Sequence, residues 1–393
     1  KGWGNAMNQG QISDRLRAKA ARSRVPYTGA FELTPLCNFS CKMCYIRRTA
    51  EEAAAAGGLR DTAWWLEIAR QARDCGMLFP LITGGEPFTH PGIREICREI
   101  RLLGMLPSIN TNGTLIGPAE IEWIKRYPPV RFNITLYGAS DQSYGALCGD
   151  YHGFSRVKEA VKLLHENGML VHFNASITPE NQDELRAIIE YGKSVGVPVR
   201  VATYMFPPIR RIEDSYGKNA RLTPEDAGRL RVMADYWQLS TESFLRNARY
   251  YGKFQPVEEL DLSQPGPGVE MRCTAGRCSC WIDWQGGLMP CGMNSEPRIS
   301  LDEHSFSQAW ELAKAETEKA VVCHTCHICP NYERCHICGT IVHHETGTYG
   351  GRPEYYCRMM QAAAEQYRVM SKDMGKELLE IPEGPVSKFG CEI

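Results

Sequence analysis

The sequence predicts an α/β fold built on a parallel sheet. Three observations carry that expectation. Between residue 30 and about 210, short apolar runs alternate six times with amphipathic stretches of helical period. Glycine-rich and polar motifs stand at the ends of successive apolar runs, where a parallel α/β array places its chemistry. The cysteines fall into two groups, three at 37–44 and ten at 273–357, outside which lie only Cys75, Cys97, Cys148 and Cys391.

The first strand is expected over 30–36, running into the first cysteine group. A helix follows over 62–75, then a strand over 77–83 that ends in two glycines. The helix over 91–103 opens on Pro91, and the strand over 106–111 leads into an Asn-Gly turn. A helix over 118–126 opens on Pro118, before strand 130–137, helix 154–167, strand 170–177, helix 181–195 and strand 199–204. Residues 222–255 read as one helix, with Thr223 as N-cap and Pro224 at the first helical position. A loop is expected over 263–268 and a helix over 359–379. The implied organisation is an N-terminal segment over 1–29, a core over 30–235, a linker and helical bridge over 236–270, a cysteine-rich domain over 271–360, and a helix and tail over 361–393.

The chain has 393 residues, 43% of them hydrophobic, enough for more than one core. Its net charge of −1 gives no electrostatic reason to expect nucleic acid or a membrane surface. No apolar run approaches the roughly 20 residues of a spanning helix, and the N-terminus lacks the charged, apolar and cleavage regions of a secretory signal, so the expected location is the cytoplasm. Seventeen cysteines in that compartment point to metal ligation rather than disulfides.

Cys37, Cys41 and Cys44 form a Cys-x3-Cys-x2-Cys array in Leu-Thr-Pro-Leu-Cys-Asn-Phe-Ser-Cys-Lys-Met-Cys-Tyr. Three thiolates on a four-iron cluster leave one iron for an exchangeable ligand, although a zinc knuckle is the bland alternative. Leu81-Ile-Thr-Gly-Gly-Glu-Pro87, Ser108-Ile-Asn-Thr-Asn-Gly-Thr114 and Phe132-Asn-Ile-Thr-Leu-Tyr-Gly138 follow in order at strand ends. Paired glycines allow close approach to backbone, and polar groups at consecutive strand ends can converge on one small molecule. Further on, Cys326-x2-Cys329-x5-Cys335-x2-Cys338 is preceded by Cys273 and a Gly286-x4-Cys291 element and followed by Cys357, too many thiolates for one site. Zinc fits that spacing as well as iron does.

With these motifs in place, the chain resembles the radical S-adenosylmethionine (SAM) enzymes that carry a C-terminal SPASM domain, and among them the ribosomal-peptide maturases. The resemblance implies a partial (β/α)6 TIM barrel and a small cysteine-rich domain with two auxiliary clusters, three [4Fe-4S] clusters in all, together with oxygen sensitivity. It implies that Cys37, Cys41 and Cys44 ligate the cluster that chelates SAM, and that its reduced form yields a 5′-deoxyadenosyl radical. Tyr45 then lies near adenine, Gly84, Gly85 and Glu86 near the methionyl amine, and Asn110, Thr135 and Asn174 near ribose or carboxylate. Auxiliary cluster I would take Cys273, Cys291, Cys338 and one of Cys278 or Cys280. Cluster II would take Cys326, Cys329, Cys335 and Cys357. Cys323 is left as a spare or inert thiol, and Cys148 as a weak candidate hydrogen donor.

The implied reaction is hydrogen abstraction from a peptide residue, most readily ending in a thioether or other crosslink. Peptide epimerisation and quinone-cofactor-type carbon–carbon crosslinking are the alternatives, with sulfatase-type formylglycine maturation disfavoured because Gly292 replaces the Asp that relatives use as base. Outside enzymes, a zinc or electron-transfer protein on the same scaffold is the competing class. Partners would be a peptide substrate and an external one-electron reductant such as flavodoxin or ferredoxin; since only about 30 residues precede Cys37, leader recognition would fall to a separate leader-recognition protein, to the catalytic body or to neither.

Overall fold

Side-chain alternation along each strand decides which face of the sheet packs under helices and which stays polar. The computed structural model describes residues 9–207, 221–256, 269–270, 273–294, 296–335, 337–374 and 385. The loop expected over 263–268, His336, Cys391 and most of the tail lie outside the described residues.

After helix α1 (Gln9–Ser23), strand β1 (Thr28–Glu32) opens the sheet. Helices α2 (Ala50–Ala55) and α3 (Thr62–Asp74) lead to β2 (Phe79–Thr83), α4 (Ile93–Leu102) to β3 (Ser108–Thr111), and α5 (Pro118–Ile124) to β4 (Arg131–Leu136). Helices α6 (Asp141–Cys148) and α7 (Gly153–Glu166) then lead to β5 (Val171–Ser176), and α8 (Leu185–Ser194) to β6 (Val199–Ala202). The six strands pair in parallel in chain order, each crossover carrying a helix, as in the core of a partial TIM barrel.

One row of paired residues, Phe31, Ile82, Ile109, Phe132 and Val171, is buried. Phe31 stacks on Trp65 of α3 at 5.8 Å. Each large side chain so buried stabilises the fold by about 1.5–3 kcal/mol. The opposite face differs in kind: Asn110 pairs with Asn133 and Asn133 with His172, and Thr135 pairs with Asn174 and Asn174 with Arg200. A parallel sheet filled only by its own side chains reads as continuously apolar. This polar inner row is therefore suited to a ligand.

Beyond β6 the single helix expected over 222–255 is two, α9 (Pro224–Gln238) and α10 (Thr241–Tyr251). Ser240 breaks it by capping α10 through its side chain, which accepts from the Ser243 N–H. The cysteine-rich part contains β7 (Val269–Glu270), β8 (Ser279–Ile282), β9 (Gly287–Met289), β10 (Ile299–Ser300), α11 (Phe306–Glu318), β11 (Val321–Val322), α12 (Tyr332–Cys335), α13 (Gly339–Thr346) and α14 (Glu354–Asp373). Strand β8 joins the outer edge of β1 in parallel, and β9 and β10 continue antiparallel, so this part extends the sheet of the core. Helix α14 lies along α9, where the Tyr367 hydroxyl donates to Asp235 at 2.5 Å. Among the described residues no helix is long and apolar enough to cross a membrane.

Candidate active site

Strand β1 ends at Glu32, short of the expected 36, because the chain turns to meet the next strand end. The Gly85 N–H donates to Thr34 O at 2.7 Å and the Glu86 N–H to Leu36 O at 2.8 Å. The contact needs glycine twice. A Cβ on Gly84, where φ is +152°, would stand 2.5 Å from Thr34 O, and one on Gly85 would stand 2.4 Å from Leu36 O. The close approach that the paired glycines allow is therefore made by the cysteine loop itself.

That loop holds Cys37, Cys41 and Cys44 within electrostatic reach of one another. The Phe39 N–H donates to Cys37 Sγ and the Arg47 N–H to Cys44 Sγ, both at 3.3 Å, while the Cys44 N–H closes a turn on Cys41 O. Burial pushes the Cys37 thiol up to about 12, with Glu86, Cys41 and Cys44 raising it further against the Phe39 N–H. Cys41 is raised first by a hydrogen bond with the Cys148 thiol and then by burial, while the Tyr137 hydroxyl acts in the opposite sense. Cys148, the weak candidate hydrogen donor, thus sits buried against a cluster-loop cysteine. Its carbonyl and that of Leu147 accept from Ser40 N–H and Lys42 N–H, clamping the end of α6 to the loop.

Glu86 is fully buried, and its carboxylate is consumed within the protein. It accepts from Phe88 N–H at 3.1 Å, Asn112 N–H at 2.8 Å and the Thr111 hydroxyl at 2.8 and 2.9 Å. Burial nevertheless lifts its pKa to about 7. The side chain ties the end of β2 to the end of β3. Asn112, which the sequence reading passed over in favour of Asn110, donates to Asn38 Oδ1 at 2.9 Å and lies 3.8 Å from Cys37 Sγ. Its place in an Asn-Gly turn, with Gly113 at φ +81°, was the available signal.

Asn110, Thr135 and Asn174 all stand on the polar inner row, Asn110 accepting from Asn133 Nδ2 at 2.8 Å. Tyr45 is half-buried at the end of the cysteine loop. Two further buried polar groups escaped the sequence reading, Glu32 on the inner face and Thr203 at the parity of the helix-facing Val199 and Val201. Glu32 is fully buried and accepts from Trp281 Nε1 at 2.8 Å. Thr203, just beyond β6, is buried with its hydroxyl unpartnered.

The C-terminal thiols form two groups. Cys273, Cys291 and Cys338 act on one another and on Tyr349. Burial pushes Cys273 up to about 12, with Cys338 adding to it. Cys326, Cys329, Cys335 and Cys357 line a single cavity with Phe254, Tyr332 and Arg352. Two placements differ from the expectation. Neither Cys278 nor Cys280 faces the first group: Cys278 packs with Ala20 and Tyr27 beneath β1, and Cys280 is buried on the helix-facing side of β8 beside Cys75. The local reason is the period of two at the start of β8: Cys278 and Cys280 share one parity, opposite to Trp281, and both turn to the helix-facing side. Cys326 is bonded to Cys323 as a disulfide, so in this form it is no free thiolate.

Among the described residues no three His, Cys, Asp or Glu side chains close on a single ion. Ligands of a four-iron cluster each take a different iron, so three such thiols need not close on one ion. The 37–44 thiols fit such a cluster in a second respect. Burial alone would keep Cys37 and Cys41 protonated, while bound metal charge and the N–H···S bonds to Cys37 and Cys44 favour the thiolate.

Comparison with known proteins gives these features a setting. Residues 31–192 match the family model of the Radical SAM superfamily. The chain is 23% identical over 351 residues to the AdoMet-dependent heme synthase of Methanosarcina barkeri, covering 86% of this chain and 97% of that protein. It is 28% identical over 177 residues to the antilisterial bacteriocin subtilosin biosynthesis protein AlbA of Bacillus subtilis, a match covering 44% of this chain and 38% of AlbA. In fold it is similar to SuiB of Streptococcus suis bound to the precursor peptide SuiA, with a TM-score of 0.62 and 16% identity over 90% of this chain and 83% of SuiB.

Proposed function

We propose that this chain, whose residues 31–192 form a radical SAM domain, cleaves S-adenosylmethionine reductively and takes a hydrogen atom from a residue of a peptide, ending in a thioether or other crosslink. One observation carries the reading: the three-thiol loop and the polar inner row of β3 to β6 stand at the same end of one parallel sheet. A four-iron cluster held by Cys37, Cys41 and Cys44 supplies, when bound, the electron that breaks a carbon–sulfur bond of the sulfonium and leaves a carbon radical. The electron would come from an external carrier of the flavodoxin or ferredoxin class.

The chain's own residues have separate tasks. The Phe39 and Arg47 N–H groups and the Asn112 amide hold the cluster sulfurs in the charged form. Glu86, Thr111, Gly84 and Gly85 fix the loop against the strand ends. Asn110, Thr135 and Asn174 supply the polar contacts for a bound sulfonium ligand, with Tyr45 beside its base. The buried Phe39 ring and the half-buried Tyr137 ring, 5.9 Å apart, shield the loop from water on that side.

The peptide substrate is supported by the AlbA match and by the likeness of fold to SuiB. Formylglycine maturation loses support, because a Cβ on Gly292 would lie 2.3 Å from the Trp281 ring and no Asp fits there without displacing it. A second reading is favoured by a different observation: the heme synthase is matched over nearly its whole length, which makes a tetrapyrrole the competing substrate.

Anaerobically reconstituted protein, given dithionite and SAM, is expected to release 5′-deoxyadenosine, and the Cys37→Ala variant none. Iron-loaded wild type that releases no nucleoside above background removes the enzyme reading. A cysteine-containing precursor peptide with deuterium at its modified carbon should pass deuterium into the nucleoside. Transfer from a tetrapyrrole instead decides for the second reading.

A further inference from the structure

The two C-terminal thiol groups are unequal in the sequence-based assignment, since Cys278 and Cys280 are turned away from Cys273, Cys291 and Cys338. Cys323 stands where a fourth sulfur is needed. It is fully buried with Ala275 and Val342, in the apolar cluster against which Cys273, Cys291 and Tyr349 also pack. Its N–H donates to Tyr349 O at 2.6 Å, and Tyr349 is the ring that lies within reach of all three thiols of the first group. Its backbone is held at φ +43°; Arg24 is the other non-glycine at positive φ among the described residues. Such a conformation persists where its surroundings impose it, as at ligand sites. The sulfur bonded to Cys323 belongs to Cys326, which lines the cavity of Cys329, Cys335 and Cys357. The disulfide therefore joins one sulfur from each group.

We propose that Cys323 completes a four-thiolate site with Cys273, Cys291 and Cys338, that Cys326 completes a second with Cys329, Cys335 and Cys357, and that loading both sites and keeping the Cys323–Cys326 bond exclude each other. The proposal rests on the reading that these thiols hold iron–sulfur clusters. Opening the bond breaks one S–S linkage with two electrons from a dithiol or dithionite and two protons from the dithiol or from water, giving two thiols whose protons leave as iron binds. With four protein thiolates the first cluster has no iron left for a substrate sulfur. Its task is then electron transfer.

The test uses the full chain, reconstituted anaerobically with iron and sulfide, as wild type, Cys278→Ala, Cys280→Ala and Cys323→Ser. Wild type and the two alanine variants should carry roughly twelve irons, as three four-iron clusters require. Cys323→Ser should lose about a third of them, or show a three-iron signal by electron paramagnetic resonance in place of one four-iron cluster. Unchanged iron and spectra in Cys323→Ser, or loss in either alanine variant, overturns the proposal. A second measurement needs no substitution: non-reducing mass spectrometry of loaded wild type should find Cys323 outside any disulfide, and an intact Cys323–Cys326 bond in fully loaded protein overturns the proposal directly. Wild type that takes up only about four irons removes the cluster reading beneath it, a failure distinct from either of those.

Discussion

Glu86 holds a carboxylate where water does not reach, and its hydrogen bonds only partly offset the burial that lifts its pKa to about 7. Between its ordinary value of 4.5 and about 7 the folded state keeps a proton that the unfolded chain has released. Stability contributed by this group is thus present below pH 4.5 and is lost as pH rises to about 7, on the order of 3 kcal/mol in total. Glu86→Gln should flatten that part of the stability profile, measured as urea midpoints of the metal-free protein at a series of pH values. A variant profile that still falls between pH 4.5 and 7 counts against the assignment. Asn112 acts on the cluster side of the same network. Asn112→Ala removes its bonds to Asn38 and Cys37, and 5′-deoxyadenosine release should slow about tenfold, matching one charge-assisted hydrogen bond of about 1.5 kcal/mol.

At the scale of elements, the loop after β1 and the loop after β2 behave as one unit because two backbones touch where Gly84 and Gly85 stand. Gly85→Ala should detach the cysteine loop, so that the variant binds fewer irons, retains those of the C-terminal thiols and releases no nucleoside. Retention of the full iron content would show that the loop tolerates the methyl. Ser240→Ala removes the cap that separates α9 from α10 and should lower stability by about 1 kcal/mol, read from the urea midpoint. All six core strands were legible in the sequence because their apolar periods and glycine-marked ends agree. The break at Ser240 was not, since helical periodicity runs across it and a single hydroxyl decides the matter. Asn110 and Asn112 lie two residues apart in one motif; which of them reaches Cys37 depends on where β3 stops and the turn begins. The resemblance implies one of Cys278 and Cys280 as a ligand, whereas the pairing of β8 with β1 decides where they point.

Across the whole molecule, the end of β6 is joined to the cysteine-rich part by a buried network. Glu345 of α13 accepts from Arg221 at 2.6 Å and from the Tyr204 hydroxyl at 2.5 Å, and the Arg221 guanidinium lies 4.0 Å over the Tyr355 ring of α14. Both charged side chains are at most 15% exposed. Removing one partner of such a pair costs about 3–5 kcal/mol, because it leaves the other charge buried. Glu345→Gln should therefore lower the denaturation midpoint and raise amide exchange in β6 and α13 together. A change confined to α13 would show that the two parts dock elsewhere. Strand β8 ties them at the opposite side of the sheet, and it sets a schedule for biosynthesis. The Thr28 N–H and hydroxyl reach Cys278 O across 250 residues of chain, so a ribosome that has finished β1 has that length still to make before the outer edge finds its partner. At roughly 10 residues per second the edge stays open for tens of seconds. An unpaired edge strand is a template for another chain, so the nascent protein passes through a sticky interval that a chaperone, or the speed of translation itself, has to cover.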